Sequence, residues 1–98
     1  MTASAPSVTL AATLHRSADV MQQVLGDEIV LLDMKGEQYF GLDPVGARIW
    51  TLLDGQRNLG DVLAVLHAEY DADPDAMRTD LLSLAQSLLD AGLVAAAR

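Results

Sequence analysis

The sequence predicts an α+β fold, a three-stranded antiparallel sheet followed by a three-helix bundle, on three observations. Between Val20 and Leu42, β-prone runs alternate with two turn signals, Gly26-Asp27 and Asp33-Met34-Lys35-Gly36. From Asp43 onwards, apolar residues recur at helical spacing in three segments, each with its own capping punctuation. The two halves meet in Lys35 to Trp50, where a strand runs through Asp43-Pro44 straight into a helix. That joint sets the angle between the sheet and everything after it.

In chain order, residues 1 to 18 read as a flexible N-terminal extension with one weakly alternating piece, Val8-Thr9-Leu10, that can add a short strand. Val20 to Leu25 is the first strand of the sheet, closed by Gly26-Asp27. Ile29-Val30-Leu31-Leu32 is apolar on both faces, which places it centrally. Gly36 is available for positive φ in the next turn. Glu37 to Leu42 returns as the third strand, and the short connections make a meander with this strand at an edge.

Asp43 then caps the first helix and Pro44 suits its first position. Val45, Ile49, Trp50, Leu52 and Leu53 form its apolar face before Asp54-Gly55 ends it. The second helix is capped by Asn58, has Asp61 in its first turn, and buries Leu59, Val62, Leu63, Leu66 and Tyr70. The third, capped by Asp73 and opened by Pro74, runs to Gly92. It carries two apolar rows, Met77-Leu81-Leu84-Leu88 beside Leu82-Ala85-Leu89, which is more than one core stripe requires. Residues 95 to 98 read as a frayed terminus after a domain spanning 19 to 94. The element order is winged-helix-like, with the sheet at the N-terminal end.

Ninety-eight residues suit a single domain. Hydrophobic residues at 51% and a positive mean hydropathy indicate a folded globule despite a net charge of -8. With no cysteine there is neither a disulfide framework nor thiolate chemistry, which fits a cytoplasmic protein. The first residues lack the basic start and apolar core of a signal peptide, and no apolar run approaches the roughly 18 residues of a membrane span. Six basic residues, Arg16, Lys35, Arg48, Arg57, Arg78 and Arg98, are scattered against fourteen acids. Neither nucleic-acid phosphates nor an anionic membrane finds a cationic cluster here.

No constellation for catalysis emerges. Asp71, Asp73 and Asp75 have the opening spacing of a calcium loop, but Ala76 stands at its glycine position and Leu82 at its bidentate glutamate. A solvated turn at a helix start is the simpler reading. Of the two histidines, only His67 has a carboxylate at i+4, Asp71, so no metal site is assigned. Ser83 and Ser87 lack a nucleophile elbow or basic partner, and Gly41 and Gly46 belong to no phosphate loop. No cofactor is implied. Phe40 and Trp50 read as packing between sheet and first helix. Tyr39 differs, because alternation puts it on the face opposite Phe40 and Leu42, where a purely structural strand favours a charge or Thr.

The run Tyr-Phe-Gly-Leu-Asp-Pro-Val-Gly-Ala-Arg-Ile-Trp-Thr-Leu-Leu-Asp-Gly from 39 to 55, with Asp61-Val62-Leu63, Asp80-Leu81 and Ala91-Gly92-Leu93-Val94, resembles the PqqD-like family. Its members are RiPP recognition elements, non-catalytic domains that bind leader peptides of ribosomally made, post-translationally modified peptides. The resemblance implies that a leader adds as a further strand to the third strand and then lies against the third helix, a case of β-augmentation. Carried over by position, the leader pairs with the backbone of Glu37, Gln38, Tyr39, Phe40 and Gly41, and its apolar anchors rest on Leu81, Leu82 and Ala85. Lys35 and Arg78 are candidates to hold an acidic leader side chain.

The expected partners are a precursor leader peptide and an enzyme that modifies or processes it: a radical-SAM enzyme, a leader peptidase or a cyclase. The acidic stretch from Glu69 to Asp75 is either a surface for that enzyme or, more simply, a solvated turn. A winged-helix DNA-binding or regulatory module is the alternative that the fold class permits. The second helix argues against it, offering Asp61 and Glu69 where a recognition helix needs Arg, Lys, Asn or Gln.

Overall fold

A computed structural model of the chain describes residues 8–97; residues 1–7 of the expected extension and Arg98 lie outside the described residues. In order, the elements are β1 (Thr13–Arg16), β2 (Val20–Leu25), β3 (Glu28–Asp33), β4 (Gln38–Leu42), α1 (Pro44–Leu52), β5 (Asp54–Asn58), α2 (Leu59–Glu69), α3 (Pro74–Asp90) and β6 (Val94–Ala96). The strands form two antiparallel sheets, β2-β3-β4 and β5-β1-β6.

The first sheet is the expected meander with β3 in its middle. β2 and β3 pair from Val20↔Asp33 to Leu25↔Glu28, and β3 and β4 from Ile29↔Leu42 to Asp33↔Gln38. Gly26 takes a positive φ of 69° in the first turn, as its position requires. The second turn departs from expectation, because the positive φ of 55° falls on Glu37 and not on Gly36. Gly36 serves a steric purpose instead. The Asp33 carboxylate folds over the turn to accept the Lys35 amide at 3.1 Å, and a Cβ at Gly36 would stand 2.6 Å from Asp33 Oδ2.

The helices follow their punctuation closely. Asp43 accepts the Gly46 amide at 2.7 Å with Pro44 opening α1. Ile49 and Trp50 are buried against the sheet, and Trp50 Nε1 donates to Gln22 Oε1 at 2.8 Å. Asn58 and Asp61 close a reciprocal capping box on α2. Asp73 occupies the cap position of α3, but its side chain makes no capping bond. At the far end Gly92 takes φ 77°, while its amide reaches the Leu89 carbonyl and the Leu93 amide reaches that of Leu88, a Schellman stop. The buried row of α3 is Met77, Leu81, Ala85 and Leu88. By helical geometry Leu84 lies on one flank of that row and Leu82 with Leu89 on the other, all three half-buried.

The second sheet is a departure from the expected architecture. Thr13–Arg16 lies within the stretch read as a flexible extension, Asp54–Asn58 was read as a helix end and loop, and Val94–Ala96 runs into the expected frayed tail. β1 pairs with β5 through Thr13↔Asn58 and His15↔Asp54, and with β6 from Leu14↔Ala96 to Arg16↔Val94. Leu14 and Val94 are core residues. The carbonyls of Ala12 and Leu10 accept the amides of Leu59 and Gly60, donors that have no partner within α2. The folded unit therefore takes in residues on both sides of the 19–94 boundary. Sequences such as Thr-Leu-His-Arg and Asp-Gly-Gln-Arg-Asn carry little strand propensity, so this pairing is a product of tertiary contact.

Candidate peptide-binding site

Among the described residues β4 has a partner on one side only, and its other edge is open. The ladder determines which of its amides face outward. Leu25 and Glu28 flank a two-residue turn, so they exchange both hydrogen bonds, and such pairs recur at every second position. Ile29, Leu31 and Asp33 consequently turn their backbone groups toward β4, where they meet Leu42, Phe40 and Gln38. Tyr39 and Gly41 direct N–H and C=O away from the sheet. Glu37 donates its amide to the Asp33 carbonyl at 2.8 Å. Of the backbone groups expected to pair with a peptide, those of Tyr39 and Gly41 are open, whereas the amides of Glu37, Gln38 and Phe40 are committed within the hairpin.

At its C-terminal end this edge enters a groove of about 600 Å³ between β4 with α1 and the helix α3. Leu42 and Val45 line it from one side, Met77 and Leu84 from the other, and Tyr70 from the α2–α3 connection. Gly41 stands where the edge meets the groove. A Cβ there would touch nothing within 4 Å and the φ is not positive, so the fold itself places no demand for glycine.

The helix residues nominated from sequence are placed differently. Leu81 and Ala85 are fully buried in the core, at 0% exposure, and are not surface groups. Leu82 is half-buried on the flank away from the groove, one turn from Gln86, whose Oε1 accepts the Val8 amide at 2.8 Å. Of the surplus apolar row, Ala85 thus belongs to the core, and Leu82 and Leu89 lie half-buried on the flank opposite Leu84. The groove residues of α3 are Met77, Asp80 and Leu84, and the last was assigned to the core row on spacing alone. Lys35 pairs with Asp19 at 3.7 Å beyond the far end of β4, and Arg78 with Asp75 at 3.6 Å. Neither lines the groove.

One ion pair braces the site. Arg48 on α1 grips Glu69 at the end of α2 through Nε at 2.8 Å and NH2 at 2.6 Å, just ahead of Tyr70. This fork raises the Arg48 pKa and holds the Glu69 carboxyl below the ordinary range, with the side-chain hydrogen bond as the main cause of each shift.

The outward face of β2-β3-β4 is apolar where an antiparallel sheet usually presents polar residues. Met21, Leu32 and Tyr39 lie abreast across the three strands, with Val30 and Leu25 beside them around a shallow concavity of about 320 Å³. Tyr39 is 75% exposed, as its alternation required.

Comparison with known proteins identifies the family and the fold. The family described as "Coenzyme PQQ synthesis protein D (PqqD)" matches residues 28–94. A PqqA binding protein of Bradyrhizobium diazoefficiens is 34% identical over 62 residues, 63% of this chain, and the match spans only 60% of that protein. TbiB1, solved in complex with the TbiA(beta) leader peptide, superposes with a TM-score of 0.74 at 34% identity, covering 82% of this chain and 93% of that one. A lasso peptide synthetase B1 complexed with its leader peptide shares the fold, with a TM-score of 0.75 at 24% identity over 86% of this chain and 99% of that one. With more than half of its length matched by the family and its fold shared with these domains, the chain belongs to the PqqD family.

Proposed function

We propose that this domain captures the leader segment of a ribosomally made precursor peptide and presents it to the enzyme that modifies or processes the precursor, without catalysing a reaction itself. The observation that carries this reading is the continuity of an open strand edge with an apolar groove. Tyr39 and Gly41 offer a backbone rail, and the rail leads directly to Leu42, Val45, Met77 and Leu84. A peptide added to β4 gains ladder hydrogen bonds from the rail and side-chain selectivity from the groove. The leader peptide bound to TbiB1, which is 34% identical, supports the assignment.

Presentation to an enzyme needs a second surface. The exposed apolar face carrying Met21, Leu32 and Tyr39 suits that task better than the acidic turn from Glu69 to Asp75, because Tyr39 joins it to the peptide edge. A nucleic-acid role lacks a footprint among the described residues. Lys35, Arg48, Arg57 and Arg78 are each paired with a carboxylate, and Arg16 lies over the Trp50 ring.

Amide hydrogen exchange tests the mechanism. Titration with the precursor's leader should slow exchange at Tyr39 and Gly41 while leaving Leu14 and Arg16 in the other sheet unchanged. Saturable binding without protection at Tyr39 and Gly41 would remove β-augmentation from the mechanism.

A further inference from the structure

The groove combines apolar walls with charge of one sign. Asp43, Asp71 and Asp80 line it, and no Lys, Arg or His does. Asp43 commits one oxygen to the Gly46 amide, whereas Asp71 and Asp80 have neither an ion-pair partner nor a side-chain hydrogen bond among the described residues. The described cations are engaged elsewhere. Arg48, whose partner Glu69 directly precedes Tyr70 and Asp71 in the chain, is held by both oxygens of that carboxylate. The described residues therefore supply no positive charge to a groove that a peptide would partly desolvate.

Burial of a peptide against Asp71 and Asp80 opposes an Asp or Glu in the segment lying there and favours a cation. A Lys or Arg satisfies both halves of the lining at once. Its methylenes cover Val45 and Leu84 while its charged head reaches a carboxylate.

We propose that Asp71 and Asp80 select a leader whose groove segment places a Lys or Arg among its apolar anchors. This rests on the leader-binding reading and specifies the side-chain chemistry that the site accepts. It also reverses the sign expected from Lys35 and Arg78, which face an acidic leader group only if they line the groove.

A displayed library of random 15-residue peptides, sorted on the full chain, is the test. Two double variants accompany it: Asp71→Lys with Asp80→Lys in the groove, and Asp27→Lys with Asp90→Lys, which makes the same change in net charge on exposed positions outside the groove. Binders that protect the Tyr39 and Gly41 amides should be enriched in Lys and Arg over Asp and Glu on the parent chain. The groove variant should invert that preference and weaken parent-selected peptides by about tenfold, consistent with two partly screened charge contacts. The control variant should keep the preference and bind within about twofold of the parent. A preference that survives groove reversal, or one lost equally in the control, overturns the proposal and leaves leader binding intact. Failure of every selected peptide, and of the leader itself, to protect Tyr39 and Gly41 overturns both.

Discussion

The two sheets of this small domain have the same number of strands and opposite constructions. β2, β3 and β4 are consecutive in the chain and joined by short turns, and they leave an edge and an apolar face open. β1, β5 and β6 come from the beginning, middle and end of the chain, and their pairing seals Leu14 and Val94 into the core. The first is a local structure with surface to spare. The second is a long-range clasp that holds the N-terminal segment, the start of α2 and the C-terminus together. On the proposed reading, a domain that offers an unpaired strand must keep that strand from collapsing into alternative pairings, and the long-range pairing of β5-β1-β6 is suited to hold the fold while β4 stays open.

The largest effect that tests this division is on stability. Leu14→Ala, at 1% exposure in the clasp, should cost about 2–5 kcal/mol in urea unfolding, whereas Met21→Ala, 59% exposed on the β2-β3-β4 sheet, should stay within about 0.5 kcal/mol. Equal costs would mean that the clasp is not the stabilising sheet. The next effect is on affinity. Tyr39→Pro removes an amide that faces away from β3, so leader binding should weaken about tenfold in calorimetry while the fold persists. Gln38→Pro removes a donor to β3 and should instead lower stability by about 1–3 kcal/mol. Interchange of these two outcomes would show that the ladder has the opposite phase.

The smallest effect concerns the brace beneath Tyr70. The Glu69 carboxyl is held below its ordinary range, chiefly by the Arg48 hydrogen bond. A group depressed on folding contributes stability that is present above its unfolded value, near pH 4.3, and is lost as pH falls through the folded value. Glu69→Gln should therefore flatten the decline in thermal midpoint below about pH 4.5 without altering the profile between about pH 6 and 8. The exposure of both partners keeps this effect modest. An unchanged acid limb would assign the decline to other carboxylates.

The β2-β3-β4 sheet was legible because its information is local. Gly26-Asp27 marks a hairpin, Ile29 to Leu32 are apolar on both faces, and Asp43-Pro44 announces a helix whatever surrounds it. The exposed Tyr39 followed from a period of two. The groove side of α3 was less legible. Spacing grouped Leu84 with the core and Ala85 with the free row, but the angle at which α3 packs brings Leu84 and Asp80 to the groove and buries Ala85. Charge misled for a similar reason. Lys35 and Arg78 are cations in sequence, and only their positions relative to Asp19 and Asp75 reveal that they serve their own turn and helix.

Sequence alone determined the β2-β3-β4 meander, the caps at Asp43 and Asn58, the approximate helix boundaries and the edge position of β4, because each depends on residues within a few positions of one another. Tertiary structure decided the β5-β1-β6 clasp, the phase that leaves Tyr39 and Gly41 open, and the acidic apolar groove. Those features arise where segments distant in the chain meet. Their strand propensities and helical rows permit several packings, and burial of Leu14, Leu81 and Ala85 selects one of them.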